Sequence, residues 1–239
     1  VRKPILASLA MLLLWGGYSQ DMAEANTADG KSVDSEFIAK KNYVTQGIGE
    51  QAPPTIDGVL NDPIWEAVEW AGDYIENRSD ENTPPSFQTK FKIVYDSKFL
   101  YIGVRFLDAE PESIVKRMSR RDGFDGDWIE FNIDSYHDKR TAFSFNVTAA
   151  GVKGDELVSE NGNNWDDSWN PIWYTKTNID EQGWNAEMKI PFSQIKFGKE
   201  KNPIWVLQSN RRFFREEEPL WQRIPLDAPG WVSEFGLKI

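Results

Sequence analysis

From residue 87 onward the chain alternates apolar and polar positions with a period of two. In FQTKFKIVY, Phe87, Thr89, Phe91, Ile93 and Tyr95 fall on one side; in FLYIGVRFL, Leu100, Ile102, Val104 and Phe106 do the same. Asp96, Ser97 and Lys98 supply a turn between them, so the pair predicts a β-hairpin. The period returns at Ile129, Phe131 and Ile133, at Phe143, Phe145 and Val147, at Trp184, Ala186, Met188 and Ile190, and at Trp205, Leu207 and Ser209. Short strands separated by Gly, Asn, Asp and Pro predict an all-β fold, an antiparallel β-sandwich of jelly-roll or immunoglobulin-like type. Short helical turns are expected at Pro63 to Trp70 and at Phe192 to Ile195.

The first 52 residues lack this period. Arg2 and Lys3 form a basic start, Ile5 to Trp15 an apolar run, and Gly16, Gly17 and Ser19 a small-residue exit, so residues 1–19 read as an export signal. The apolar run is shorter than the roughly 20 residues that span a bilayer. Residues 20–52 are polar and read as a flexible linker, with one strand expected at Phe37 to Val44. The sandwich then occupies 53–239, and the expected location is the periplasm, outer membrane or cell surface.

Composition narrows the chemistry. Among 239 residues there is no Cys and one His, His137, which nearly excludes thiolate nucleophiles, His-dependent triads and the common zinc ligand sets. The formal charge of −11 argues against nucleic acid and anionic lipid as partners. Eleven Trp exceed what a core of this size ordinarily uses, so some are expected on a binding surface.

RRDGFDGDWIEFNIDSY, residues 120–136, is the densest stretch of carboxylates and rings. Alternation sends Ile129, Phe131 and Ile133 inward and leaves Trp128, Glu130, Asn132 and Asp134 on the other face; the following strand adds Ser144 and Asn146. Such a face is either a solvated sheet surface or a floor on which a sugar stacks and bonds. A glycosidase pair needs carboxyl groups about 5.5 Å or about 6.5–9.5 Å apart. Asp127 and Glu130 point to opposite faces, while Glu130 and Asp134 lie about 13 Å apart along a strand, so catalysis would need a partner from another loop, such as Asp155 or Asp166. Asp122, Asp125 and Asp127 crowd a Gly-containing loop and could hold calcium, or could instead pair with Arg117, Arg120 and Arg121. In NWDDSWNPIW, Trp165, Trp169 and Trp173 either pack a long loop over the sandwich or form an added sugar platform. Arg211, Arg212 and Arg215 with Glu216 to Glu218 read as a solvated ion-pair network.

PPTIDGVLNDPIWEAVEW (53–70), VYDSKFLYIGVRFLD (94–108), DGDWIEFNID (125–134), GWNAEMKIPFSQIKF (183–197) and WVSEFGLKI (231–239), in that order, resemble the family 9 carbohydrate-binding modules. RRD before GDWIEF, GVKGDE and NWDDSWNPIW are similar to a subgroup in which the module precedes a C-terminal domain thought to form an outer-membrane barrel. The resemblance implies a non-catalytic β-sandwich that clamps glycan ends between two aromatic rings, with structural calcium nearby. It places the clamp on Trp231 and on Phe124, where sugar-binding members carry Trp. It assigns hydroxyl recognition to Glu130 and to Asn146, which stands where those members carry a basic residue. The implied partners are a polysaccharide or glycan and a downstream outer-membrane barrel or hydrolase domain. The alternative reading is a periplasmic docking or plug domain that has lost sugar binding.

Overall fold

The structure, a computed structural model, describes residues 38–198, 204–215 and 217–237; the export-signal reading and the start of the linker fall outside them. In chain order the strands are β1 Gln46–Gly47, β2 Ile75–Glu76, β3 Thr89–Tyr95, β4 Phe99–Leu107, β5 Trp128–Asp134, β6 Ala142–Thr148, β7 Lys153–Ser159, β8 Asn164–Asp166, β9 Tyr174–Asp180, β10 Gly183–Pro191, β11 Val206–Arg212, β12 Pro219–Leu220 and β13 Gly236–Leu237. Among the described residues they form a five-stranded sheet, β1-β3-β4-β10-β9, and an eight-stranded sheet, β2-β12-β11-β5-β6-β7-β8, with β13 also on β11. All pairings are antiparallel except β1 with β3. The expected helical turns are 3-10 turns at Pro63–Ala67 and Phe192–Gln194.

The inward positions of the alternating runs meet between the sheets. Phe91, Ile93, Ile102, Val104 and Phe106 face Ile129, Phe131, Ile133, Phe145 and Leu207 in one cluster. Phe91 is a hub, with the rings of Tyr43, Tyr74, Phe131 and Trp221 each within 6.5 Å of it. Phe106 stacks on Trp184 at 3.6 Å. Tyr43 in this cluster and β1 on the five-stranded sheet correct the linker reading: the chain joins the fold well before residue 53, and among the described residues its short strand is Gln46–Gly47, while the start of the expected strand, Phe37, lies outside them. A polar stretch concealed the few apolar anchors that dock it.

The outer faces of both sheets are also covered, which alternation did not anticipate. On the eight-stranded sheet, Ala142, Val158 and Val206 pack against Leu220, Ile224, Val232 and Phe235 of the C-terminal segment. Asn132, Asp134 and Ser144 therefore lie buried beneath a third layer. Gln208 fastens that layer, accepting the N–H of Gln222 at 2.9 Å and donating to its carbonyl at 2.8 Å.

On the five-stranded sheet, Ile64, Trp65 and Val68 pack over Val94 and Tyr101. The anchor is Glu187 of β10, fully buried, whose Oε2 accepts the N–H of Asp57 at 3.0 Å and of Gly58 at 2.8 Å, and whose Oε1 accepts Trp65 Nε1–H at 3.2 Å. Gly58, at φ 90°, has no room for a Cβ, which would stand 2.8 Å from the Thr177 carbonyl carbon. Burial pushes the Glu187 carboxyl up to about 7 against the pull of its three donors.

Two outcomes are expected. Glu187→Ala leaves three donors without their acceptor and should lower unfolding free energy by about 2–4 kcal/mol in urea melts. A carboxyl whose folded pKa lies above its unfolded value of about 4.3 stabilises the fold fully below the unfolded value and loses that contribution as pH rises through the folded one. Stability should thus decline from about pH 5 to about pH 8, and Glu187→Gln, which cannot ionise, should show a shallower decline; an unaltered slope would remove Glu187 as its source.

Candidate functional site

A cleft of about 310 Å³ opens among three indoles, Trp128, Trp165 and Trp231. They come from separate parts of the chain: Trp128 begins β5, Trp165 is the centre of β8, and Trp231 precedes the 3-10 turn Val232–Glu234. What brings them together is the tight loop Glu160–Gly162, whose residues have φ of 54°, 59° and 95°. Asn161 in that loop grips the C-terminal segment, its Oδ1 accepting Ser233 N–H and its carbonyl accepting Trp231 N–H, both at 2.9 Å. A Cβ on Gly162 would fall 2.4 Å from the Trp231 Cβ, so only glycine lets that side chain settle here. The Gly162 carbonyl also accepts Trp165 Nε1–H at 2.8 Å. One glycine seats two indoles.

Polar groups complete the lining. Asn77, Arg78, Asn210 and Glu218 contribute, with Leu220 as an apolar patch. Arg78 Nε lies 3.1 Å from Glu218, which also pairs with Arg212, so the charged rim is an ion-pair cluster. Asn210 donates to Glu130 Oε2 at 2.7 Å, while its Oδ1 and Trp231 Nε1 have no hydrogen-bond partner among the described residues. Flat apolar faces beside amide and guanidinium donors suit a ligand with alternating C–H and hydroxyl surfaces.

The sequence-predicted residues separate into two groups. Trp128 and Trp231 line the cleft. Phe124 is outside its lining, leaning on Trp128 at 5.9 Å and covering Gly154, where a Cβ would meet its ring. Glu130 and Asn146 are buried beneath: Glu130 Oε1 accepts Ser144 Oγ–H at 2.7 Å, and Asn146 donates to the same Oγ at 3.1 Å. Burial pushes the Glu130 carboxyl up against the pull of these donors. From that position Glu130 orients Asn210 rather than facing the cleft. Sequence reasoning missed Asn77, Arg78, Asn210, Glu218 and Leu220. For Trp165 it held two readings, and the structure divides the tryptophan series: Trp173 is core, Trp169 packs on Phe143 and Phe145, and Trp165 faces the cleft.

Two comparisons yield matches. The family described as "Carbohydrate family 9 binding domain-like" matches residues 56–207. A family 9 carbohydrate-binding module from Caldicellulosiruptor kristjanssonii in complex with glucose is 20% identical, covering 82% of this chain and 94% of that one at a TM-score of 0.55. Its complex with cellotriose matches at 19% identity, 82% and 92% coverage and the same TM-score of 0.55. A protein from Bacteroides uniformis shares the fold more closely, at a TM-score of 0.65 with 16% identity over 83% of this chain and 98% of that one. No curated protein sequence matches this one.

Asp122, Asp125 and Asp127 do not converge as a calcium site would require. Asp127 turns inward and accepts Phe214 N–H at 2.7 Å; Asp125 pairs with Arg117 at 2.9 Å; Asp122 accepts Asp155 N–H at 3.1 Å. No group of three or more carboxylate or imidazole ligands gathers among the described residues. Asp125 is taken by an arginine and Asp122 and Asp127 each by a backbone N–H, with Asp127 Oδ2 left without a partner among the described residues; so arranged, the three do not fit the ion that the resemblance implies. Arg211 departs from the ion-pair reading as well: it is buried, bonded to the Phe87 carbonyl and Thr89, and burial lowers its pKa to about 10. The melting temperature should therefore stay the same between chelator and millimolar calcium. A calcium-dependent rise that disappears in Asp125→Asn would show the loop closing on an ion after all.

Proposed function

Because the chain belongs to the carbohydrate family 9 binding domain-like family, we propose that it is an exported, non-catalytic binding module whose indole cleft stacks a glycan. The observation that carries this reading is the convergence of Trp128, Trp165 and Trp231 on one cleft with Asn210 between sheet and solvent. Outside a site, three indoles from three distant segments would be expected to bury themselves in the core; here Trp165 stays 37% exposed. A pyranose ring lays its C–H face on an indole while its hydroxyls reach the amides and Arg78, and neutral sugar needs no net charge from the protein. Glucose and cellotriose, bound by the structural neighbour, are the first ligands to try. Export rests on the N-terminal sequence, and the module's service to a barrel or hydrolase domain on the subgroup resemblance.

One observation favours catalysis as a second reading. Burial, with the charges of Glu130, Asp167, Asp122 and Asp155, pushes the Glu156 carboxyl up to about 7, the range of a general acid. Neither Glu156 nor Glu130 lines the cleft, so a glycan stacked there meets no carboxylate pair.

Trp165→Ala, on the exposed rim, should weaken glycan binding by about 1–2 kcal/mol, roughly five- to thirtyfold in Kd, while leaving the melting temperature near that of the parent. Trp128→Ala should do the same. Titration calorimetry with oligosaccharides chosen from a glycan array checks both. An array without any ligand would favour the docking-domain reading. Hydrolysis of a bound glycan by the purified protein, lost in Glu156→Gln, would overturn the non-catalytic one.

A further inference from the structure

The outer side of the five-stranded sheet carries a second concavity, about 630 Å³, bounded by Lys153, Lys176 and Lys189 with Phe99, Tyr174 and Thr175. Among the described residues no carboxylate lines it. In a chain with formal charge −11 and 38 acidic residues, three lysines without a carboxylate among them are an inversion of the local field. Lys153 donates to the Trp173 carbonyl at 2.9 Å, and Lys189 lies 4.2 Å from the Phe99 ring centroid; the acids that act on them through space are Asp155, on Lys153 but itself paired with Arg121, and Asp96, on Lys189. Among the described residues the ion pairs are made by Lys40 and by arginines.

The neighbouring acids are already committed elsewhere. Glu187 stands directly across from Lys176 in the β9–β10 register, yet it is turned under the covering segment and held by Asp57, Gly58 and Trp65. Asp96, whose pKa Lys189 helps to lower, accepts the N–H groups of Lys98 and Phe99 and the Tyr101 hydroxyl. Lys176 is exposed and Tyr174 is 52% exposed at the same register as Lys189, so charge and a free ring edge lie side by side.

We propose that this groove binds an anionic segment of a polysaccharide, one bearing carboxylate or sulfate groups, at a site separate from the indole cleft. Lysines act as hydrated point charges suited to such groups, and Tyr174 offers a stacking face for the ring between them. The glycan class rests on the proposed function; the anion preference rests on the groove alone. A polyanion would be repelled over much of the surface and drawn here.

Affinity electrophoresis of the full chain through gels containing polygalacturonate, dextran sulfate or uncharged dextran tests this. Retardation by at least one of the two charged polymers is expected to exceed that by dextran, and the excess should weaken with added salt. Lys176→Gln with Lys189→Gln should weaken retardation roughly three- to thirtyfold, and Lys176→Gln alone should weaken it less. Neutral-oligosaccharide titration of the same proteins reports the cleft independently, so failure of one site is distinguishable from failure of the other. No retardation by either charged polymer beyond that by dextran, or an excess that survives the lysine substitutions, would overturn the proposal. Equal capture by anionic-lipid vesicles or by DNA would overturn the glycan assignment.

Discussion

The fold depends on a carboxylate that has been taken out of water. Glu187 is held in β10 by two backbone N–H groups and one indole N–H from residues about 130 positions earlier in the chain. Desolvation costs a carboxylate several kcal/mol unless donors replace the lost water, and the rise of its pKa to about 7 reports that cost. Those donors draw the segment carrying Gly58 and Trp65 across the sheet. Trp65 can lie flat there because Gly103, opposite Glu187 in the β4–β10 register, carries no side chain: a Cβ would stand 3.2 Å from the indole. The covered sheet then shields Val94 and Tyr101, and the edge of the cover, Pro54 to Ile56, becomes one wall of the lysine groove.

The opposite sheet follows the same logic with neutral groups. Gln208 and Gln222 exchange backbone and amide hydrogen bonds, and Asn161 grips Ser233 and Trp231, so the C-terminal segment is fastened at two points. Along the same segment, Ile224, Val232 and Phe235 supply apolar burial. The indole cleft is a product of this cover, because Trp231 belongs to the segment and Trp165 to the strand beside the Glu160–Gly162 loop. Loss of the Asn161 contacts would therefore disturb the cleft before it disturbed the sandwich core.

Alternation made the inner core legible, since Phe91, Ile102, Phe131, Phe145 and Trp184 all lie where a period of two put them. It could not show that Asn132 and Asp134 are buried, because the period reports which side a residue takes and not what lies on that side. The covering segment, from Trp221 to Phe235, has little period of its own and gave no warning. The family resemblance was legible for a related reason. Asp57, Gly58 and Trp65 in one motif and Glu187 in another are the two halves of one contact, Asp96 caps its hairpin, and Gly183 accepts a φ of 133° in the turn before Trp184. These residues identify the sandwich, and none of them lines the cleft. Of the two rings the resemblance names as a clamp, Trp231 lines the cleft and Phe124 stands outside it, covering Gly154.

Net charge is legible at a different scale. A value of −11 describes how the whole chain behaves at a distance of a Debye length or more, roughly 8–10 Å in physiological salt, and says little about a groove with its own lining. The acids concentrate where they are neutralised or tied down: Asp108 and Glu110 on Arg215, Asp155 on Arg121, Asp180 on Arg105, Glu218 on Arg78 and Arg212. Five arginines, Arg78, Arg105, Arg121, Arg212 and Arg215, are spent on those pairs, where their planar forks suit carboxylates. Lysines remain for the five-stranded sheet, where Lys90 and Lys92 lie within 4.8 Å of the Trp70 ring centroid and Lys176 and Lys189 flank the groove. An acidic protein built this way excludes anions over most of its surface, and that exclusion is what gives a small cationic face its selectivity.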